Sequence, residues 1–493
     1  MKYLIGIDVG TSATKSALFD TAGNLIRSAS AEYPMMQPNI GWAEENPEDF
    51  WQATCKTLRE ITDGLDGEIL GIGLSGQMHS LVMLDERDEV IRPAILWCDQ
   101  RTAEDCATLT AAVGNDELVR ISGNVAMPAF TASKLMWVKR VEPENFKRCK
   151  HVLLAKDYVR FKLTGEYVID VSDASGMQLM DINTKTYSDL LCKTVGIDTA
   201  CLPKIVESYA VSGKVSASAA ALTGVAEGTV VAGGAGDNAA AAVGTGIVSA
   251  GDAFTTIGTS GVIFVPAEHP ICDEAGRFNC FCDATGGWHV LGITQAAGLS
   301  MSWFRDSVAK DTSYRKIDEG AENIPVGSDN LIYLPYLMGE RTPILDSNAR
   351  GVFFGLSASH TNAHLARAVM EGVSYSLYSC LEAICDSGVD INCMSLCGGG
   401  AKSPLWHEML TDIYGIPVKT MASAESASLG AAILGGCAAG VYSSVLEGCK
   451  ICVKSNSEKA PNAENHEKYM RLYSLYKELY PTLRESFIKL ADI

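Results

Sequence analysis

Two carboxylates in glycine-rich surroundings carry the clearest chemical potential of this chain. Asp237 stands in Gly233-Gly234-Ala235-Gly236-Asp237-Asn238, after an apolar run and at the start of a helical pattern. Small neighbours leave space for a ligand there. A helix N-terminus favours the ionised carboxyl, so Asp237 suits proton acceptance near neutral pH; service as a helix cap is the alternative. Asp8 stands in Gly6-Ile7-Asp8-Val9-Gly10-Thr11-Ser12. A tight turn of small residues between β-prone runs exposes N–H groups and hydroxyls, which is what a phosphate needs. A carboxylate beside phosphates calls for a cation, and Mg²⁺ takes carboxylates, waters and phosphate oxygens together. Alternatively, Asp8 bonds its own turn. A second such turn, Ile257-Gly258-Thr259-Ser260-Gly261, lies half a chain away. Two phosphate turns suggest two lobes gripping a nucleotide from opposite sides, and that pairing favours magnesium at Asp8. Gln77-Met78-His79 adds an amide and an imidazole at a strand end, groups suited to the hydroxyls of a small polyol; a purely structural histidine is the alternative there.

Other motifs carry less. Gly71-Ile72-Gly73-Leu74-Ser75-Gly76 matches GxGxxG, but a second strand follows where a dinucleotide site needs a helix. No GxxxxGK[ST] occurs. His360 and His364 are four apart without the glutamate of a zinc helix. Cys449-Lys450-Ile451-Cys452 is a lone CxxC, too little for a zinc site.

The positioning elements follow from pattern. Hairpins flank Gly10 and Gly258. Strands are expected at Ile69–Leu74, Leu81–Leu84, Thr229–Gly233 and Trp288–Ile293. Helices are expected at Pro47–Ile61, Ala132–Val141 and Asn238–Val243. A long helix from Asn362 to Cys385 places Leu365, Val369, Val373, Leu377, Leu381 and Ile384 on one side. Met394–Cys397 reads as a strand and Gly398-Gly399-Gly400 as a tight loop. Ser403 then caps a helix with Pro404 in its first turn, and Gly415 ends it. Residues 461–490 read as one or two surface helices. The halves meet near 246–254, giving domains 1–246 and 247–493.

With 493 residues, 47% hydrophobic and 20% charged, the chain is long enough for two large cores. A net charge of −19 argues against nucleic acid or anionic membrane as main partners. The 16 cysteines are scattered and often apolar in context, which fits reduced, buried thiols and a cytoplasmic location. The nearly uncharged stretch Val230–Val248 holds six Ala, five Gly and one Asp, a poor membrane span.

With these residues in view, the chain resembles the FGGY-type carbohydrate kinases over nearly its whole length. The resemblance rests on the Gly6–Ser12 turn, Gly76-Gln77-Met78-His79, Trp97-Cys98-Asp99-Gln100-Arg101, Lys156-Asp157-Tyr158 and Gly236-Asp237-Asn238-Ala239-Ala240. It continues in Gly258-Thr259-Ser260-Gly261, Gly339-Glu340-Arg341-Thr342-Pro343, Gly351-Val352-Phe353-Phe354-Gly355-Leu356 and the triple glycine leading to Trp406. It implies an α/β, two-lobed, duplicated actin/hexokinase-like (ribonuclease H-like) ATPase fold with an interlobe cleft. It further implies ATP and Mg²⁺ as cofactors, a small-molecule sugar as partner, and a homodimer by analogy. By the same resemblance Asp237 is the catalytic base, and Met78, His79, Asp237 and Asn238 contact sugar. Asp8 acts beside metal and phosphates, Thr11, Ser12, Lys15 and Thr259 belong to the phosphate hairpins, and Gly399 and Ser403 lie near the adenosine. Glycerol kinases carry an Arg-Glu pair where this chain has Met78-His79, and often Asn at the place of Ser403. Gluconate kinases share the Met-His but typically lack the Asn after the catalytic Asp. Asn238 therefore points to a ketopentose, D-xylulose, as acceptor. An actin-like assembly ATPase shares the core but has no need of the polar pocket made by residues 77–79 and 237–238.

Overall fold

The computed structural model describes residues 1–422, 425–491 and 493. Two seven-stranded sheets dominate it. In the first, the strands run in the order Val211–Lys214, Val230–Ala232, Glu68–Gly76, Lys2–Val9, Ala13–Asp20, Leu25–Glu32, with the short Ala235–Gly236 also on Glu68–Gly76. In the second the order is Asn279–Cys282, Trp288–Thr294, Gly261–Ala267, Asp252–Ile257, Cys393–Gly398, Val418–Met421, Ser455–Lys459. Each sheet therefore centres on one Gly-Thr-Ser hairpin with a parallel strand at its flank: Lys2–Val9 beside Glu68–Gly76, and Asp252–Ile257 beside Cys393–Gly398. The plan occurs twice, as expected.

The first strand is buried almost throughout, so both of its faces are covered. Pro47–Thr62 packs on one side of this sheet. Asn46 caps it by accepting from the Glu48 N–H, and Phe50, Trp51, Leu58 and Ile61 point inward at helical spacing. The helix Ser426–Ala438 covers the other side, against Lys2–Val9, Glu68–Gly76 and the helix Asp237–Thr245. Glycines permit that approach: a Cβ on Gly6 would lie 1.8 Å from the Ser428 carbonyl oxygen, and one on Gly430 1.8 Å from that of Ala240. Residues 426–438 follow the 246/247 boundary in sequence yet complete the core of the first sheet.

The stretch Val230–Val248 folds as strand, strand and helix. No helix among the described residues is long and apolar enough to cross a membrane. Asn362–Cys385 is a single helix with the expected buried side. The tail is one helix, Ala463–Ala491, continuous through Pro481. It is less superficial than its sequence suggests, because Tyr469, Tyr473 and Tyr476 are buried against Tyr375. His360 and His364 lie at the entry of the long helix, where His364 pairs with Asp329 at 3.0 Å. Cys449 and Cys452 lie on the helix Val445–Cys452, and Tyr442 contacts Cys452. None of these four residues belongs to a metal-binding cluster among the described residues.

Candidate active site

Strand register brings the two acidic turns together. Asp8 is opposite Ser75 and Val9 opposite Gly76, while Ala235 and Gly236 pair with the same Ser75 and Gly76. Asp8 and the residue before Asp237 thus lie at the carboxyl ends of two parallel strands that flank Glu68–Gly76, where α/β folds place ligands. Asp237 is the first residue of its helix, and Gly236 occupies the cap position, so Asp237 does not serve as the N-cap. Asn238 donates to Asp237 Oδ1 through its backbone N–H, at 2.7 Å, and through Nδ2, at 2.9 Å. Burial, and then the negative charge of Asp8, raise the Asp237 carboxyl to about 6. This corrects the expectation of an ordinary carboxylate: desolvation outweighs the helix N-terminus.

Asp8 Oδ1 is buried and has no hydrogen-bond partner among the described residues. Burial raises this carboxyl too. Lys15, its cross-strand partner, binds Glu425 Oε1 at 2.6 Å. An acidic side chain with an orphaned oxygen beside a phosphate turn fits a divalent cation, since Mg²⁺ is held by few carboxylates plus phosphate oxygens.

His79 has φ of 68°, a left-handed backbone unusual for a non-glycine residue. Its Nδ1 lies 2.8 Å from the Gly176 carbonyl, which can only accept, so the proton resides on Nδ1 and Nε2 is left as an acceptor. Burial, then the charge of Lys134, hold the ring neutral, down to about 3. Lys134 donates to the His79 carbonyl at 2.8 Å and to the Ala129 carbonyl at 2.6 Å, and Phe130 meets the imidazole edge-on at 5.0 Å. Met78 is buried beneath the turn, 2.7 Å from where a Gly236 Cβ would be. Gln77 departs from its expected role. Its amide is committed to Glu45, the Gly10 carbonyl and Ser80, so it ties the first phosphate turn to the His79 loop and offers nothing to a ligand.

The first turn is held by Trp97, whose Nε1 donates to Thr11 Oγ1 at 3.0 Å; Ser12 stays exposed. The second turn is held by backbone. Gly298 donates to the Gly258 carbonyl at 2.7 Å, and Ala297 to that of Thr259 at 3.0 Å. Beside it opens a cavity of about 920 Å³, lined by Gly258, Thr259, Gly399, Gly400, Ser403 and Trp406 among others. This is room for a nucleoside. Ser403 caps the helix Pro404–Tyr414 by accepting from the Trp406 N–H at 3.1 Å, which uses one lone pair of its hydroxyl.

Of the residues singled out from sequence, Asp8, Thr11, Ser12, Lys15, Met78, His79, Asp237 and Asn238 lie at one end of the first sheet, and Thr259, Gly399 and Ser403 line the cavity. Sequence reasoning missed Lys134 and Glu425, and it gave Gln77 a ligand role that its bonds to Glu45, Gly10 and Ser80 preclude. Lys134 lies in a predicted helix with nothing local to mark it.

The chain matches the family model "FGGY family of carbohydrate kinases, N-terminal domain" over residues 3–244 and the C-terminal domain model over residues 253–439. It is 39% identical to the xylulose kinase of Bacillus subtilis (strain 168) over 484 residues, 97% of each chain. A ligand-bound xylulose kinase from Lactobacillus acidophilus superposes with a TM-score of 0.95 at 30% identity, covering 99% of this chain and 100% of the other. A gluconate kinase from Lactobacillus acidophilus gives a TM-score of 0.95 at 30% identity, with 99% of both chains covered.

Proposed function

We propose, on the premise that this chain belongs to the FGGY family of carbohydrate kinases, that it transfers the γ-phosphoryl group of ATP to D-xylulose, giving D-xylulose 5-phosphate and ADP. The observation that carries the reading is the convergence of Asp237, Asn238, His79 and the Asp8 turn at the carboxyl ends of neighbouring strands in the first sheet. The xylulose kinases among its relatives supply the acceptor.

The ketose lies against residues 78–79 and 237–238. The neutral Nε2 of His79 accepts from a sugar hydroxyl. Asp237 Oδ1 is held by Asn238, so Oδ2 faces the hydroxyl that is to be phosphorylated. That oxygen attacks phosphorus in line, the bond to the β-phosphate oxygen breaks, and the hydroxyl proton passes to Asp237 as the new P–O bond forms. A carboxylate cannot ionise an alcohol beforehand, but late proton acceptance is worth roughly 10²–10⁴-fold. A pKa near 6 makes Asp237 a stronger acceptor than an ordinary carboxylate while keeping it mostly ionised at pH 7. The two turns and Lys15 oppose the phosphate charge. Asp8 would hold Mg²⁺, which neutralises charge on the transferring phosphates when bound.

A sugar acid is the second reading. Arg341 reaches Met127 Sδ at 3.7 Å, and Met127 packs beside Phe130, against the His79 ring. A guanidinium there suits a carboxylate. ADP release measured over D-xylulose, L-xylulose, D-ribulose, glycerol and D-gluconate separates the two. The highest kcat/KM is expected for D-xylulose, and a preference for gluconate overturns that choice.

A further inference from the structure

The Asp237 turn is rich in glycine, with φ of 73° at Gly234, and would be pliable by itself. A buried ionic cluster fastens it. Lys156 Nζ lies 2.8 Å from Asp157, 2.6 Å from Asp170 and 2.8 Å from Asp173, and Arg160 lies 2.7 Å from Asp157, all five side chains fully buried. Arg160 donates to the Gly233 carbonyl, and Gly234 donates to the Ser208 carbonyl at 2.9 Å. Ser172 Oγ accepts the Gly236 N–H at 3.0 Å and itself donates to Asp170. An ionised carboxylate only accepts, so Asp170 fixes the hydroxyl proton of Ser172 and leaves its lone pairs for Gly236. The same cluster reaches the sugar loop. A Cβ on Gly236 would lie 3.1 Å from Asp173 Oδ1 and 2.7 Å from Met78 Cγ, and one on Gly76 3.0 Å from Lys156 Cβ.

Five buried charges are an expensive way to fill a core, and well-packed apolar side chains are often no less stable. What apolar residues cannot do is direct a hydroxyl at one N–H. We infer that this cluster is a positioning device for the proposed base, acting through Ser172 on the backbone of Gly236 and hence on the Asp237 carboxylate. The inference rests on the kinase reading and on Asp237 as its base. It assigns Ser172 and Asp170 as positioning residues; neither touches substrate. Three carboxylates against two cations leave one negative charge in excess, and burial raises the Asp173 carboxyl well above its ordinary value.

The test compares wild type, Ser172→Ala, Ser172→Thr and Asp237→Ala by ADP release with D-xylulose across pH. Ser172→Ala is expected to lower kcat by roughly 10- to 100-fold, the scale of a small misplacement of a reacting group. The KM for ATP should stay within about twofold, since the nucleotide turns are untouched. Its acid limb should move from near pH 6 toward the ordinary carboxylate range as the turn loosens and admits water. Ser172→Thr keeps the hydroxyl and should recover most of kcat. Wild-type kcat and pH midpoint in Ser172→Ala would overturn the inference, as would a loss that threonine does not rescue. If Ser172→Ala does not fold, Ser172→Cys, of similar size but a weak acceptor, is read the same way. Full turnover in Asp237→Ala would instead overturn the base assignment itself, so the two failures are distinct.

Discussion

The two glycine-turn hairpins share a Gly-Thr-Ser turn and differ in what stands two residues before it. In the first, Asp8 faces Lys15 across the strands; in the second, Thr256 faces Val262. The first turn is pinned by side chains, Trp97 on Thr11 and Gln77 on Gly10. The second is pinned, among the described residues, by backbone bonds from residues 297–299. Under the proposed function this duplicated geometry divides the work: one copy offers charge near the proposed acceptor site, and the other offers N–H groups beside an open cavity. Substitutions in the first should therefore alter the chemical step, and substitutions in the second should alter nucleotide binding.

The largest effect is expected one strand away from the first hairpin. Asp237→Ala should cut kcat by roughly 10²–10⁴-fold, read by ADP release, with ATP affinity by calorimetry nearly unchanged. Next comes the contrast itself. Asp8→Asn should lower kcat at least about tenfold and raise the Mg²⁺ concentration needed for half-maximal rate. Thr259→Val should raise only the KM for ATP, by a few-fold; equal effects on kcat from both would dissolve the division. His79→Ala should raise the KM for the sugar about tenfold through the lost acceptor and ring contact, leaving the ATP KM in place. Smallest is Ser403→Ala. Loss of the cap on Pro404–Tyr414 should cost about 1 kcal/mol, read as a lowered melting temperature with kcat preserved.

Much of this was legible because it is local. Each hairpin is a short β-prone run, a small turn and another run, so pattern alone located Gly10 and Gly258. Ser403, Pro404 and Gly415 mark a helix that forms as their chemistry demands. Asp237 stood out through its glycines and the helix that follows. What escaped depends on distance in sequence. Gln77 looks like a ligand until its amide meets Glu45 and Gly10, 32 and 67 residues away. Lys156-Asp157 was recognisable as a family block, but its purpose depends on Asp170, Asp173 and the turn at 233–236. The raised pKa of Asp237 arises from burial and from Asp8, neither of which a single sequence displays. The close seat of Ser426–Ala438 on the first sheet was likewise hidden, since a glycine in a strand does not announce which carbonyl it admits.

The pH dependence of kcat/KM for D-xylulose under saturating Mg-ATP tests the central claim most directly. A base that must be ionised loses activity as pH falls through its pKa. The account predicts a tenfold decline per pH unit below a midpoint that burial raises above the ordinary carboxylate value, and no such decline in the residual rate of Asp237→Ala. Activity that stays level down to pH 4.5, or an acid limb that survives in Asp237→Ala, would contradict it.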